Sequence, residues 1–334
     1  MAVNQILDIS DSQGMANVGK SWLLEHIKID ASDPAWYDVR WLAAMTPEAR
    51  DAVKVLEVGS TFDNVPEKYM DFFCRVVPQK LGQKPHHHDD SAIASDDCIV
   101  DYLLWFLDKV EEVRLRLYGY GDYFANLRHL PALQKVEIDI SNTPHARYSL
   151  PELFGLFHAA PAVREVRIVH TLAGAWDAEL MPHLLYLEKI EFVNCDLCEK
   201  EIRYISAKCP KLRIFKYSVK YEPGNDPPGA PLDVLESLKP LNAQLEELEL
   251  SIGHGSPFDD QVRIDSLGEF PALRAVLIAW EFIADLPSFL NSLPRSVVDL
   301  TVIGGDMTAR EALQRFALKE GTMTVKHNHV IQRQ

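Results

Sequence analysis

Nine short segments of the chain share one hydrophobic frame: an apolar residue, two spacers, a second apolar residue, one spacer and a third. They are Val53-Leu56-Val58, Val110-Val113-Leu115, Leu133-Val136-Ile138, Val163-Val166-Ile168, Leu187-Ile190-Phe192, Leu212-Phe215-Tyr217, Leu245-Leu248-Leu250, Leu273-Val276-Ile278 and Val297-Leu300-Val302. The last two apolar positions stand at period two, the spacing of a strand with one buried face. With the middle residue as marker, the gaps from Val113 onward are 23, 30, 24, 25, 33, 28 and 24 residues. The gap from Leu56 to Val113 is 57, which predicts a degenerate unit between them.

Residues 187–215 carry the fullest unit. Cys195 follows the strand, Leu197 is the next apolar position, and Ile202 and Ile205 recur at helical spacing on the return leg. Cys209-Pro210-Lys211-Leu212 then restarts the frame. Pattern and period match the leucine-rich repeat, whose units run about 20–29 residues. The expected fold is therefore α/β, a leucine-rich-repeat solenoid. A curved parallel sheet would line its concave face, with helices and irregular legs on the convex face.

The C-P-x-L restart resembles the cysteine-containing leucine-rich repeats of F-box proteins. Met15-Ala16-Asn17-Val18-Gly19-Lys20-Ser21-Trp22-Leu23 is similar to the phrase that closes the short helical module of fungal F-box proteins. His26–Asp30 then resembles the first strand after that module, and 47–58 its helix-to-strand step. Only Ile6-Leu7-Asp8-Ile9 precedes the match, without the L-P-x-E-like phrase that opens an F-box. The resemblance thus implies a truncated or degenerate F-box, with docking to a Skp-type adaptor in doubt. The expected location is cytoplasmic or nuclear.

The expected organisation is a helical N-terminal cap over 1–25 and a repeat domain over 26–334. Helices are expected around Tyr37–Ala44, Tyr69–Val77 and Cys98–Lys109, and residues 82–97, GQKPHHHDDSAIASDD, form a polar insertion. A C-terminal cap over 308–334 would hold a helix started by Thr308, with Glu311 at capping-box spacing, and an edge strand Met323–His327.

Composition narrows the function classes. The chain has 334 residues, 47% hydrophobic and 25% charged, as in a folded globular protein. Its net charge of −15 argues against general binding to nucleic-acid phosphates. No apolar run reaches the ~18 residues of a membrane span, and the N-terminus lacks the pattern of a secretory signal. Five cysteines, three of them in the repeat frame, suit reduced thiols. A monomer is expected.

Candidate chemistry is sparse. His86-His87-His88-Asp89-Asp90 could hint at metal, but adjacent loop residues cannot all face one ion, so a solvated loop is expected. Cys195-x-x-Cys198 has zinc or redox spacing without a second pair, and Cys195 already has a repeat position. Gly119-Tyr120-Gly121 and Gly304-Gly305 are turn glycines outside any phosphate-loop context. Enzyme motifs are absent, and no cofactor or metal is expected.

Strand alternation aims the residues between and just after the second and third apolar positions at the opposite face, the usual binding face of a solenoid. Arg114, Arg116, Asp139, Arg167, Glu191, Lys216 and Glu249 stand there, with Arg167, Glu191 and Lys216 on consecutive units. Three loops leave the strands at Ser141–Tyr148, Ser218–Pro231 and Ser251–Asp260. With His170, Trp176, Tyr221, His254 and Phe258 they would form an aromatic rim, and Trp176 and Trp280 are the expected apolar anchors. The expected function is recognition of a protein or small apolar ligand on this face, as the substrate receptor of a ubiquitin ligase if the N-terminal remnant still docks its adaptor. The alternative is a repurposed repeat-fold enzyme of fungal secondary metabolism, a cofactor-independent cyclase or isomerase acting on a small apolar metabolite.

Overall fold

The computed structural model describes residues 6–8, 25–30, 45–59, 100–117, 124, 127–140, 150–171, 181–219, 231–252, 263–305, 307–320 and 324–328. The chain forms two compact units, Met1–Val166 and Arg167–Gln334. In the first, β1 (Ile6–Asp8), β2 (His26–Asp30), β3 (Val55–Gly59), β4 (Glu112–Arg116) and β5 (Lys135–Asp139) pair in chain order, all parallel. The boundary falls within β6 (Glu165–Val169). In the second unit, β7 (Lys189–Cys195), β8 (Ile214–Val219), β9 (Glu247–Ile252), β10 (Ala275–Ala279), β11 (Asp299–Ile303) and β12 (Thr324–Asn328) do the same. The protein is thus α/β, with parallel strands joined by helices and irregular legs, as a parallel connection requires.

Each of the nine marker residues is the second residue of its strand, and each is buried. Ile190, Phe215 and Leu248 are 3%, 0% and 1% exposed, which fixes the register of the apolar rows. The fourth residue of each strand is buried beside the marker, from Val58 and Leu115 to Ile278 and Val302.

The first apolar position of the frame has a separate task. Its backbone N–H closes a tight turn three residues back, as from Leu187 to Leu184, Leu212 to Cys209 and Leu273 to Phe270 (3.2, 3.1 and 3.1 Å). The Cys-Pro-Lys-Leu restart is such a turn. Immediately afterwards one carbonyl accepts two N–H groups of the next unit. Glu188 receives Arg213 and Ile214, Arg213 receives Glu246 and Glu247, and Glu246 receives Arg274 and Ala275. β8, β9 and β10 are therefore each started by the strand before them.

The legs close the core from the other side. In the second unit the helix Glu199–Lys208 contributes Ile202 and Ile205, and Pro231–Leu238 contributes Val234 and Leu238. Phe192, Phe215 and Tyr217 form a tilted aromatic row at 6.3 and 6.5 Å between centroids. The Tyr217 hydroxyl accepts from Leu197 N–H at 3.1 Å, so the one polar atom of that row is satisfied. In the first unit, helical residues 100–106 bury Val100, Leu103 and Leu104.

Three expectations are corrected. Ile6–Asp8 is a strand rather than part of a helical cap, its backbone pairing with His26–Lys28 of β2. β3 pairs directly with β4, Leu56 opposite Val113, so no strand of a degenerate unit stands between them in the sheet; residues 60–99 of the intervening chain lie outside the described residues. The C-terminal helix runs Met307–Glu320, so Thr308 lies inside it and not at its cap. The edge strand expected at Met323–His327 is found as Thr324–Asn328, paired with β11. The F-box-like phrase 15–23, the helices around 37–44 and 69–77 and the insertion 82–97 lie outside the described residues. Among the described residues no helix is long and apolar enough to cross a membrane.

Leu248 makes the register testable. Removing its side chain leaves an unfilled site between β8 and β10, so Leu248→Ala should cost about 2–5 kcal/mol in denaturant unfolding. An unchanged midpoint would contradict the register.

Candidate functional site

Because pairing is in register within each unit, the residues after the markers form a row in each. In the first unit the row reads Lys28, Glu57, Arg114, Glu137, and in the second Glu191, Lys216, Glu249, Leu277, Thr301. Arg167 is the residue after the marker of β6 and pairs with Glu191. The charges alternate in sign at every step, on strands about 4.8 Å apart. The sequence shows interleaved acids and bases; only the register shows that they form a ladder.

The ladder is closed by ion pairs. In the first unit Glu57 meets Lys28 at 2.6 Å, His26 at 3.6 Å and Arg114 at 3.7 Å. Arg114 reaches Glu112 at 2.7 Å, Lys135 meets the same carboxylate at 2.9 Å, and Arg116 meets Asp139 at 3.3 Å. Partial burial pushes the Glu112 carboxyl up, but the Lys135 and Arg114 hydrogen bonds and charges outweigh it and hold it below its ordinary value. In the second unit Arg167 donates to Glu191 at 3.1 Å, with Lys189 3.8 Å from the same carboxylate. Lys216 lies between Glu247 and Glu249, the latter at 3.5 Å. Partial burial disfavours its charge, yet those two carboxylates overcome that and raise its pKa.

Beyond Glu249 the row loses charge at Leu277 and Thr301, half-buried on the same face. Trp280 follows β10 and opens a short helical turn, Trp280–Phe282. Its ring rests against the Gly304-Gly305 turn, where both glycines take left-handed φ of +83° and +90°. A Cβ on Gly305 would stand 3.1 Å from Trp280 Cδ2 and 3.2 Å from Ala309 Cβ, so glycine gives the indole its seat. Part of the expected anchor is thus already packed.

His170 and Asn194 share a position, four residues after the markers Val166 and Ile190, and both are left-handed at φ +63° and +53°. Gly304, four residues after Leu300, shares it too. This is where the chain turns out of its strand. His170 N–H donates to the Val193 carbonyl at 2.9 Å, and His170 Nε2 lies 3.5 Å from Asn194 Nδ2. Cys195 finishes the turn. Its sulfur accepts from Thr171 N–H and contacts the Ile168 and Val193 carbonyls, at 3.5, 3.5 and 3.4 Å. Burial pushes the Cys195 thiol up to about 12, far from a reactive thiolate. Cys198 instead starts the helix Glu199–Lys208, its N–H donating to Glu201 at 2.7 Å. The CxxC spacing comes from a turn and a cap. Among the described residues no cluster of three His, Cys, Asp or Glu could hold a metal ion. Trp176, Tyr221, His254, Phe258, most of the three rim loops and the His86–His88 run lie outside the described residues.

One buried acid escaped the sequence reading. Asp101 is 3% exposed at the start of the 100–106 helix, and its carboxylate accepts the Phe124 N–H at 3.1 Å. Phe124 is left-handed at φ +67°, and a Cβ on Gly155 would fall 2.0 Å from its carbonyl oxygen. Burial raises the Asp101 pKa to about 7, against the lowering effect of that hydrogen bond. The signal was a lone acid in an apolar helical run, Ile99-Val100-Asp101-Tyr102-Leu103-Leu104.

No protein-family model matches the chain, and no curated protein is significantly similar to it in sequence.

The Asp101 environment predicts a pH dependence. The folded carboxyl holds its proton up to about pH 7, whereas the unfolded one releases it near 4. Its contribution to stability is therefore fully present below about pH 4 and is lost as pH rises toward 7. Asp101→Asn removes that slope, so urea unfolding should show the variant gaining on the parent between pH 5 and pH 8. A constant difference between the two proteins would contradict this.

Proposed function

We propose that the chain is a leucine-rich-repeat solenoid that recognises a partner protein through the sheet face carrying the charge ladder. The observation that supports it most is the alternation of Arg167, Glu191, Lys216 and Glu249 on successive strands, half-buried and already desolvated in part. Each side chain is held by its neighbours in a definite place, which lowers the ordering cost when a partner binds. The existing pairs contribute only about 0–1 kcal/mol apiece, so a partner's own charges can replace them at little loss. Alternating charge then gives specificity and register more than raw affinity. The neutral end at Leu277 and Thr301, beside Trp280, supplies the apolar contact that charged faces lack.

In the F-box-like reading this face would hold the substrate of a ubiquitin ligase, and the N-terminal segment would contact a Skp-type adaptor. Reconstitution with purified adaptor tests that part separately: a stoichiometric complex on size exclusion supports it, and separate elution removes the ligase role.

The recognition reading is tested by comparing proteins captured from a lysate of the source cells by the parent and by two variants. Arg167→Ala/Lys216→Ala should lose the specific partner, roughly tenfold or more in affinity once it is purified, with melting unchanged. Arg203→Ala, on the solvent side of the helix Glu199–Lys208, should keep it. Loss in the helix variant with retention in the sheet variant would overturn the assignment.

A further inference from the structure

The strand-entry edge of the second unit carries two of the three large apolar side chains that are exposed among the described residues. Leu185 and Tyr186 are 50% and 48% exposed, adjacent in the turn before β7. The neighbouring turn, before β8, lies against it: Leu184 N–H donates to the Lys208 carbonyl at 3.1 Å. Lys211 Nζ stands 4.6 Å from the centre of the Tyr186 ring, and Lys208 Nζ lies 3.3 Å from His183 Nε2.

Neither lysine has a carboxylate partner among the described residues. Lys189, Arg203, Arg213, Lys216 and Lys239 of the same unit, by contrast, pair with glutamates. The two lysines also run against a chain of net charge −15. The turn geometry sharpens the contrast. In later units the residue four before the marker closes onto the preceding turn, Gln244 to the Pro210 carbonyl and Ser296 to the Pro271 carbonyl, both at 2.7 Å. Lys211 and Tyr186 occupy that same position, four before Phe215 and Ile190, and both are long side chains directed outward.

We infer that Leu185, Tyr186, Lys208 and Lys211 form a second docking site, for an acidic segment of a partner protein that carries an apolar side chain. The two exposed apolar residues supply contact area, and the tyrosine is an anchor of low entropic cost. The two lysines supply the complementary charge. A carboxylate arriving at Lys211 would bridge to an ammonium already held over an aromatic ring. An anionic bilayer is the less suitable occupant: two lysines and two apolar residues fall short of the cluster of basic residues and the long apolar face that a membrane surface needs. The site lies on the strand-entry edge, so it can be filled together with the sheet face.

The test is a selection of displayed random peptides against the full chain, then measurement of the selected peptides by fluorescence anisotropy. The expected winners contain Asp and Glu around an aromatic or aliphatic residue, and their affinity falls as salt rises past roughly 0.15 M. Lys208→Glu/Lys211→Glu should weaken them by roughly tenfold or more, and Tyr186→Ala by a similar factor. Both variants should melt like the parent, since the patch is exposed. Arg167→Ala/Lys216→Ala should leave these peptides unaffected, which separates this site from the sheet face. Winners without acidic residues, equal binding by the lysine-reversed variant, or binding instead to phosphatidylserine vesicles in a Lys211-dependent manner would overturn it.

Discussion

A parallel strand can present one apolar face only if its neighbour starts at the same level. Here that level is set at each entry turn, where one carbonyl accepts two N–H groups of the next unit, as Glu188 does from Arg213 and Ile214. A slip of one residue would turn Phe215 and Tyr217 toward water and Lys216 into the core. The paired backbone and the buried apolar rows therefore enforce each other. The first apolar position of the frame serves this constraint, since its N–H closes the turn that delivers the chain to the carbonyl.

The same register arranges the polar side. The charges of the ladder did not need to be near one another in sequence; Arg167, Glu191, Lys216 and Glu249 are each separated by a whole unit. Alternation of sign along the row lets every charge face opposite neighbours, which makes a densely charged face compatible with a stacked sheet. Pairs this exposed hold the fold only weakly. The stability resides in Phe192, Phe215, Tyr217, Leu248 and their like, and the charged face adds little to it.

Much of this was legible from the residues. The period-two ends of the frame located nine strands to the residue, because alternation is written directly in side-chain type. Cys195 and the Cys209 restart also marked real turns. What failed were features set by pairing rather than pattern. Ile6–Asp8 became a strand because the free edge of β2 offers it partners, which no local propensity records. The long gap after Leu56 suggested another unit, yet chain length between strands says nothing of which strands pair. The left-handed turns at His170 and Asn194 were not visible either, because those residue types tolerate that conformation without requiring it. The burial of Asp101 is not written in the spacing, because the apolar stripe that marks its helix says nothing of a lone acid within it. Likewise the ladder, and the position of Lys208 and Lys211 without carboxylate partners among the described residues, emerge only once distant units are set side by side.

Register is thus the claim from which the rest follows, and paired-cysteine cross-linking tests it most directly. Lys216 and Glu249 stand opposite each other on β8 and β9, at a Cα separation of roughly 4.8 Å that suits a disulfide. The variant Lys216→Cys/Glu249→Cys should form that bridge under mild oxidation, identified by peptide mass. Lys216→Cys/Ser251→Cys, displaced along the strand, should not. Cross-linking of the displaced pair in preference to the opposed one would contradict the register, and with it the buried rows and the charge ladder.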